Sequence, residues 1–216
     1  MRGPTNRALL AAVLAVAAAG ILGAQEILDR IVARVENDII LLSDVRALRH
    51  YQELVDGKPE TEEQILDRLI DQWIVRTEAE VSHFPHPSDA DMDRSLSQLQ
   101  KSFASIDEYE ARKKQSGLND SEIRRIVGLQ LYLSNYLDSR FRPGVQIDPK
   151  AIEDFYVNKV LPQAKSRGQE PPSLDAARDF IQEALIQQGI NEQADRWLKE
   201  SRVRLHIEKL LEEGAK

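Results

Sequence analysis

The stretch from Ile123 to Phe141 limits the possible folds most sharply. Ile126, Val127, Leu129, Leu131, Tyr132, Leu133, Tyr136 and Leu137 place apolar side chains on several faces of one helical period. A helix that is apolar nearly all round is buried among other elements, so the chain must supply neighbours to surround it. We read this segment as the central helix of a multi-helix body, ended by Arg142-Pro143-Gly144.

The neighbours are marked by their starts. Thr61 with Gln64, Ser105 with Glu108, and Asn119 with Glu122 have the spacing at which a cap side chain and a residue three positions on satisfy each other's free N–H groups. Ser88 follows Pro87 and precedes an acidic first turn, which suits the positive end of a helix dipole. Between caps the apolar period is helical: Ile65, Leu66, Leu69, Ile70, Trp73 and Ile74 form one stripe, and Met92, Leu96, Leu99 and Phe103 another. Trp73 and Trp197 lie on such stripes and read as core. Asp148-Pro149 opens a further helix. Gly168 to Ser173 is the clearest linker, and two last helices are expected after it, divided near Gln188-Gly189. The first would bury Ala177, Phe180, Ile181, Ala184 and Leu185; the second would carry Ile190, Ala194 and Trp197.

Strand signals occur near both ends. Ile31 to Val35 is β-branched, Glu36-Asn37-Asp38 supplies turn residues, and Ile39 to Leu42 resumes the apolar run, which reads as a hairpin. Ser43-Asp44 is expected to cap a helix from about Val45, stopped by Asp56-Gly57-Lys58-Pro59. Val203 to Ile207 alternates with period two and is expected to leave the last helix as a strand beside the hairpin. The expected fold class is therefore mostly α: a multi-helix core with a small antiparallel sheet formed by an N-terminal hairpin and a C-terminal strand.

Ahead of this body lies a different kind of segment. Arg2 and Arg7 precede an apolar run of 15 residues, Ala8 to Leu22, and Gly23-Ala24 supplies small residues before Gln25. Positive flank, short apolar run and small-residue exit are the order of a secretory signal peptide, with cleavage expected between Ala24 and Gln25. The run is shorter than the roughly 18–20 residues of a comfortable bilayer span, which weighs against its retention as an anchor. Export to a soluble compartment is the expectation.

Composition removes several classes of function. Residues 1–24 hold two arginines and no acids, so the remainder carries 27 basic against 36 acidic side chains, a net of −9. Nucleic-acid binders show the opposite balance. The chain has no cysteine, which removes disulfides and thiolate chemistry. No phosphate-binding GxxxxGK[ST] loop and no GxSxG elbow occur. Of four histidines only His83 and His86 are near one another, and Pro85 between them breaks any helical presentation to a metal. His206 reads as an outward strand residue. The carboxylates stand three or four residues from Arg or Lys, the pattern of solvated helix faces. No catalytic residue, metal site or cofactor is expected.

The segment Glu26 to Val45, EILDRIVARVENDIILLSDV, resembles the opening of SurA-type periplasmic chaperones, where a hairpin leads into the first helix. The similarity continues through Ile65–Ala79, Ser88–Leu99, Ser105–Tyr136 and Ala184–Ile207. It rests on the order of elements rather than on one decisive motif. The resemblance implies residues 1–24 as signal peptide, 25–147 as a SurA N-terminal-like helical domain, and 173–211 as helices and a strand completing that core. Residues 148–172 stand where many relatives carry a parvulin prolyl isomerase domain. These 25 residues are too few for a further domain, which needs at least ~50, so isomerase activity is not carried over.

What the resemblance implies is an ATP-independent periplasmic chaperone that binds unfolded envelope or outer-membrane proteins, with no nucleic-acid partner and no membrane association after processing. Phe84, Tyr109, Tyr132 and Tyr136 are candidates for client contact, as apolar or amphipathic side chains placed to lie near a groove. Two other readings stay open: a prolyl isomerase-related protein with residual activity, and an assembly subunit that binds one folded partner.

Overall fold

The computed structural model describes residues 29–58 and 60–211. The expected cleavage residues Ala24 and Gln25 lie outside them, as does Pro59. Among the described residues the fold is mostly helical with one small antiparallel sheet.

Strands β1 (Ile31–Val35) and β2 (Asp38–Leu41) form the hairpin, and β3 (Ile207–Lys209) pairs on the other side of β1, giving the order β2-β1-β3. Glu36 turns the hairpin with a left-handed φ of 53°, a conformation that costs a non-glycine residue energy. The C-terminal segment supports it there. Glu36 N–H donates to the His206 carbonyl at 2.9 Å, and His206 N–H donates to Glu36 Oε1 at 2.7 Å. His206 is exposed.

Seven helices and two helical turns follow among the described residues before the last helix, most of them started by a capping side chain. Helix α1 (Leu42–Asp56) begins earlier than Ser43-Asp44 had implied. Asp44 sits inside the first turn and accepts from Leu41 N–H at 3.1 Å, while Ser43 binds Asp29. Gly57, at φ 68°, ends the helix in the left-handed conformation that glycine adopts without cost. Helices α2 (Glu62–Val81), α3 (Asp89–Lys101) and α5 (Asp120–Phe141) start at Thr61, Ser88 and Asn119, each with a reciprocal capping box. Helix α4 (Ile106–Ser116) starts at Ser105, whose hydroxyl accepts from Glu108 N–H; the Glu108 carboxylate reaches Ala104 N–H instead of closing the box. After α5, Arg142–Gly144 makes one 3₁₀ turn. Helix α6 (Pro149–Phe155) runs through a π turn, Tyr156–Val160, into α7 (Leu161–Ser166).

The last helix corrects the sequence reading. Leu174 to Arg204 is one 31-residue helix, α8, with no division at Gln188-Gly189. Gly189 serves packing rather than breaking: a Cβ there would stand 2.7 Å from Val145 Cγ1. Phe180, expected in the core, is 71 % exposed on α8. The helix also continues through Val203 and Arg204, so only Ile207 to Lys209 form the strand.

Three apolar clusters hold these elements. The largest joins Val32 and Val35 of the sheet to Val45 and Leu54 of α1, Ile65, Leu66, Ile70 and Ile74 of α2, Tyr109 of α4 and Ile123 of α5. The second lies farther along α2 and α5, with Val75, Ala79, Tyr132, Leu133 and Tyr136; Trp197 and Leu198 of α8 pack on both. Helix α5 is thus enclosed by α1, α2, α3 and α8, as its apolar circumference requires. The third cluster, Ile152, Ala177 and Ile181, joins α6 to the first half of α8.

Candidate functional site

Helices α2 and α5 pack side by side, and the loop from α2 to α3 crosses over one end of the pair. His83 takes a left-handed φ of 53° in this loop, and Phe84 then folds back onto α5. The Phe84 ring meets Tyr136 edge-on with centroids 5.5 Å apart and Tyr132 at 6.0 Å. Tyr132 donates to the Phe84 carbonyl at 3.4 Å, and burial pushes its phenol above the usual range. His86 stacks flat on the outer side of the Tyr132 ring at 4.3 Å.

Outside this aromatic stack lies a hollow of about 480 Å³, open to solvent. Met92 of α3, Pro87 of the loop, and Gly128, Leu129 and Tyr132 of α5 supply its apolar wall; Arg76, Glu80 and Arg124 stand at its margin. Gly128 gives room there, because a Cβ on it would lie 3.1 Å from Met92 Sδ. Leu129, Arg76 and Arg125 also line an adjoining, smaller hollow of about 130 Å³, walled by Ile40, Leu69 and Trp73. The two form a trough along the α2–α5 seam. Trp73 is half-buried, and its indole N–H donates to Asp38 Oδ2 at 2.7 Å.

Of the four residues singled out from sequence, the structure brings three together. Tyr132 lines the trough, with Phe84 and Tyr136 behind it. Tyr109 belongs elsewhere: it is buried in the largest cluster against Phe103, with ring centroids 5.3 Å apart. Sequence reading missed Leu129, Gly128, Arg76 and Arg125 as lining. The available signal was Arg125 itself, a cation amid Ile123, Ile126, Val127 and Leu129.

Another hollow, about 290 Å³, lies where α8 crosses α2 and α5, with Val75, Leu133, Leu137, Ile190 and Leu198 in its wall. Its acids are already engaged: Asp71 accepts from Arg202 at 2.7 Å and Asp138 from Arg142 at 2.8 Å. It works as a joint between helices more than as a receiving surface.

Among the described residues no group of three or more His, Cys, Asp or Glu side chains is arranged to hold a metal, and no helix is long and apolar enough to cross a membrane. Compared with known proteins, the chain matches no family model and no curated sequence.

Proposed function

We propose that this protein is an ATP-independent periplasmic chaperone that captures extended apolar stretches of unfolded envelope or outer-membrane proteins in the α2–α5 trough. The observation that carries this reading is a solvent-open hollow of about 480 Å³ walled by Met92, Pro87, Leu129 and Tyr132, in a chain of net charge −7. Apolar surface left open at this scale marks a place where another molecule is received. Burying about 400 Å² of apolar surface at ~25 cal/mol/Å² yields roughly 10 kcal/mol gross. Association and ordering of the client consume at least about 4 kcal/mol of that, leaving weak capture, roughly tens of micromolar or weaker, that reverses without nucleotide. Like charge on the chaperone keeps the loaded complex dispersed.

The test is suppression of aggregation of an unfolded outer-membrane protein. The wild-type chain should hold the client in solution, and Gly128→Leu, which fills the hollow beside Met92, should weaken this several-fold while the far-ultraviolet spectrum and melting temperature show a folded protein. No suppression by the wild type, or full suppression by a folded G128L protein, overturns the reading. Selective capture of one native protein would replace it with an assembly subunit, and robust proline-isomerisation turnover would replace it with an enzyme.

A further inference from the structure

We propose that the trough selects extended segments carrying an acidic side chain between two apolar ones. This deepens the chaperone reading and rests on it. The two hollows are separate receptacles for apolar groups: Met92, Pro87 and Tyr132 wall the larger, and Ile40, Leu69 and Trp73 the smaller. Arg76, Arg125 and Leu129 line both, so two guanidinium groups stand at the junction.

These two cations are the ones with charge to offer. Arg76 reaches Glu80 only at 3.8 Å, with both side chains substantially exposed. Exposed Arg125 makes no ion pair among the described residues. Arg124, at the edge of the larger hollow, is already held by Asp93 at 2.5 Å and Asp89 at 3.1 Å. Asp44 also lines the smaller hollow and keeps its negative charge; it accepts from Leu41 N–H at 3.1 Å and makes no ion pair with either arginine. A carboxylate arriving at the junction therefore finds guanidinium donors that no internal acid has saturated, and a lysine arriving there meets like charge. A guanidinium pairs with a carboxylate through parallel N–H donors.

Side chains of an extended chain alternate between faces, so the three that face the trough are positions i, i+2 and i+4. The selected pattern is apolar, acidic, apolar on alternate residues. The trough runs on to either side of the arginine pair, which fits a passing segment better than a chain end, and we commit to an internal Asp or Glu.

Fluorescence anisotropy with labelled peptides tests this on the whole protein. One peptide carries Phe-Ser-Asp-Ser-Leu inside Gly/Ser flanks with a C-terminal amide; two others replace the Asp with Asn or Lys; a fourth has the Asn centre but ends in a free carboxylate directly after it. The Asp peptide should bind about threefold to tenfold more tightly than the Asn peptide, the size of one exposed to half-buried charge contact, and the Lys peptide should bind weakest. Arg125→Glu should invert the Asp-to-Lys order, and Arg76→Gln should reduce the Asp preference without inverting it. Equal binding of the three internal peptides, an order that survives R125E in a folded protein, or binding confined to the free-carboxylate peptide overturns the proposal. If aggregation suppression persists in any of those cases, the chaperone reading stands and only the selectivity falls. If suppression is absent as well, the reading falls with it.

Discussion

The helical body around α5 and the outlying lobe of α6, α7 and the first half of α8 are built at different scales. The body buries Val32, Val35, Leu54, Ile65, Leu66, Ile70, Ile74 and Ile123 almost completely, and it draws them from the sheet and from α1, α2 and α5. The lobe has four buried residues, Ile152, Ala164, Ala177 and Ile181; two of them are alanines, and Ala177 and Ile181 lie one turn apart on α8. Its other apolar side chains stay partly or largely exposed, Val157 at 56 % and Phe180 at 71 %. What unites the two is α8, whose second half carries Trp197 and Leu198 into the body while its first half closes the lobe. The difference teaches that one uninterrupted helix can give a small lobe the stability that its own core does not supply, and that such a lobe opens locally before the body does.

The largest expected effect separates the two regions directly. Ile70 and Ile181 are both fully buried. Ile70→Ala should cost about 2–5 kcal/mol, the range for deleting a buried aliphatic side chain, and it should lower the global melting temperature. Ile181→Ala removes the same atoms, but its loss should be local: hydrogen exchange should accelerate across residues 149–185 while the amides of α2 keep their protection. Equal, global destabilisation by both would show that lobe and body are one cooperative unit.

The sequence was most legible where structure follows from chemistry three residues away. Thr61, Ser88 and Asn119 cap their helices because a short oxygen-bearing side chain reaches a free N–H whatever lies beyond. The central helix was legible because apolar residues on every face leave only burial. A C-terminal strand beside the hairpin was legible, but its place was not: of the period-two stretch Val203 to Ile207 only Ile207 lies in β3, because α8 takes Val203 and Arg204. Gly189 was misread because a glycine in a helical pattern looks the same as a breaker and as a close-packing position; only Val145, 44 residues away, distinguishes them. Phe180 was misread because helical spacing names a face without naming what covers it. The trough was hidden for a related reason. Met92 comes from one apolar stripe and Leu129 and Tyr132 from the central helix, each predicting burial, and whether α3 and α5 close over the gap or leave it open depends on Gly128 and on the course of Pro87.

An intermediate effect probes the hinge of the comparison at Gly189. Alanine there would gain up to ~1 kcal/mol of helix propensity, yet its Cβ would meet Val145 Cγ1 at 2.7 Å. Overpacking of this kind typically costs about 1–3 kcal/mol, so Gly189→Ala should destabilise in thermal melts. Val145→Ala in the same chain should recover most of the loss. A gain in stability from G189A alone would mean that α8 is not pressed onto the segment after α5, and the lobe's attachment would need another explanation.

The smallest effect concerns two ionic ties that fasten α8 at its two ends. In the body, Arg202 bridges Asp67 and Asp71 of α2, and Lys209 joins the same Asp67. Burial raises the Asp67 carboxyl, but hydrogen bonds from Arg202 and Lys209 outweigh it and hold the group below its usual range. Toward the lobe, Arg142 grips Glu183 of α8 through paired contacts of 2.7 and 3.0 Å and Asp138 of α5 at 2.8 Å. These contacts, aided by Gln187, lower Glu183 from 4.5 to about 2. A carboxyl depressed in the folded state adds stability that is fully present above its unfolded value and disappears as pH falls through the folded one. The Glu183 tie should therefore be intact above pH 4.5 and lost between there and pH 2. Because the pair is exposed and screened by salt, the effect should be small. Melting temperatures of the wild type and Arg142→Gln should differ slightly at pH 6 and converge toward pH 2, whereas Arg202→Gln, whose partners are less exposed, should lower stability more at pH 6. Exchange at residues 174–185 should quicken in R142Q at neutral pH as it does in the wild type on acidification. A difference between wild type and R142Q that stays constant down to pH 2 would assign the role of Arg142 to its packing rather than its charge, and would leave the lobe held by the α8 backbone alone.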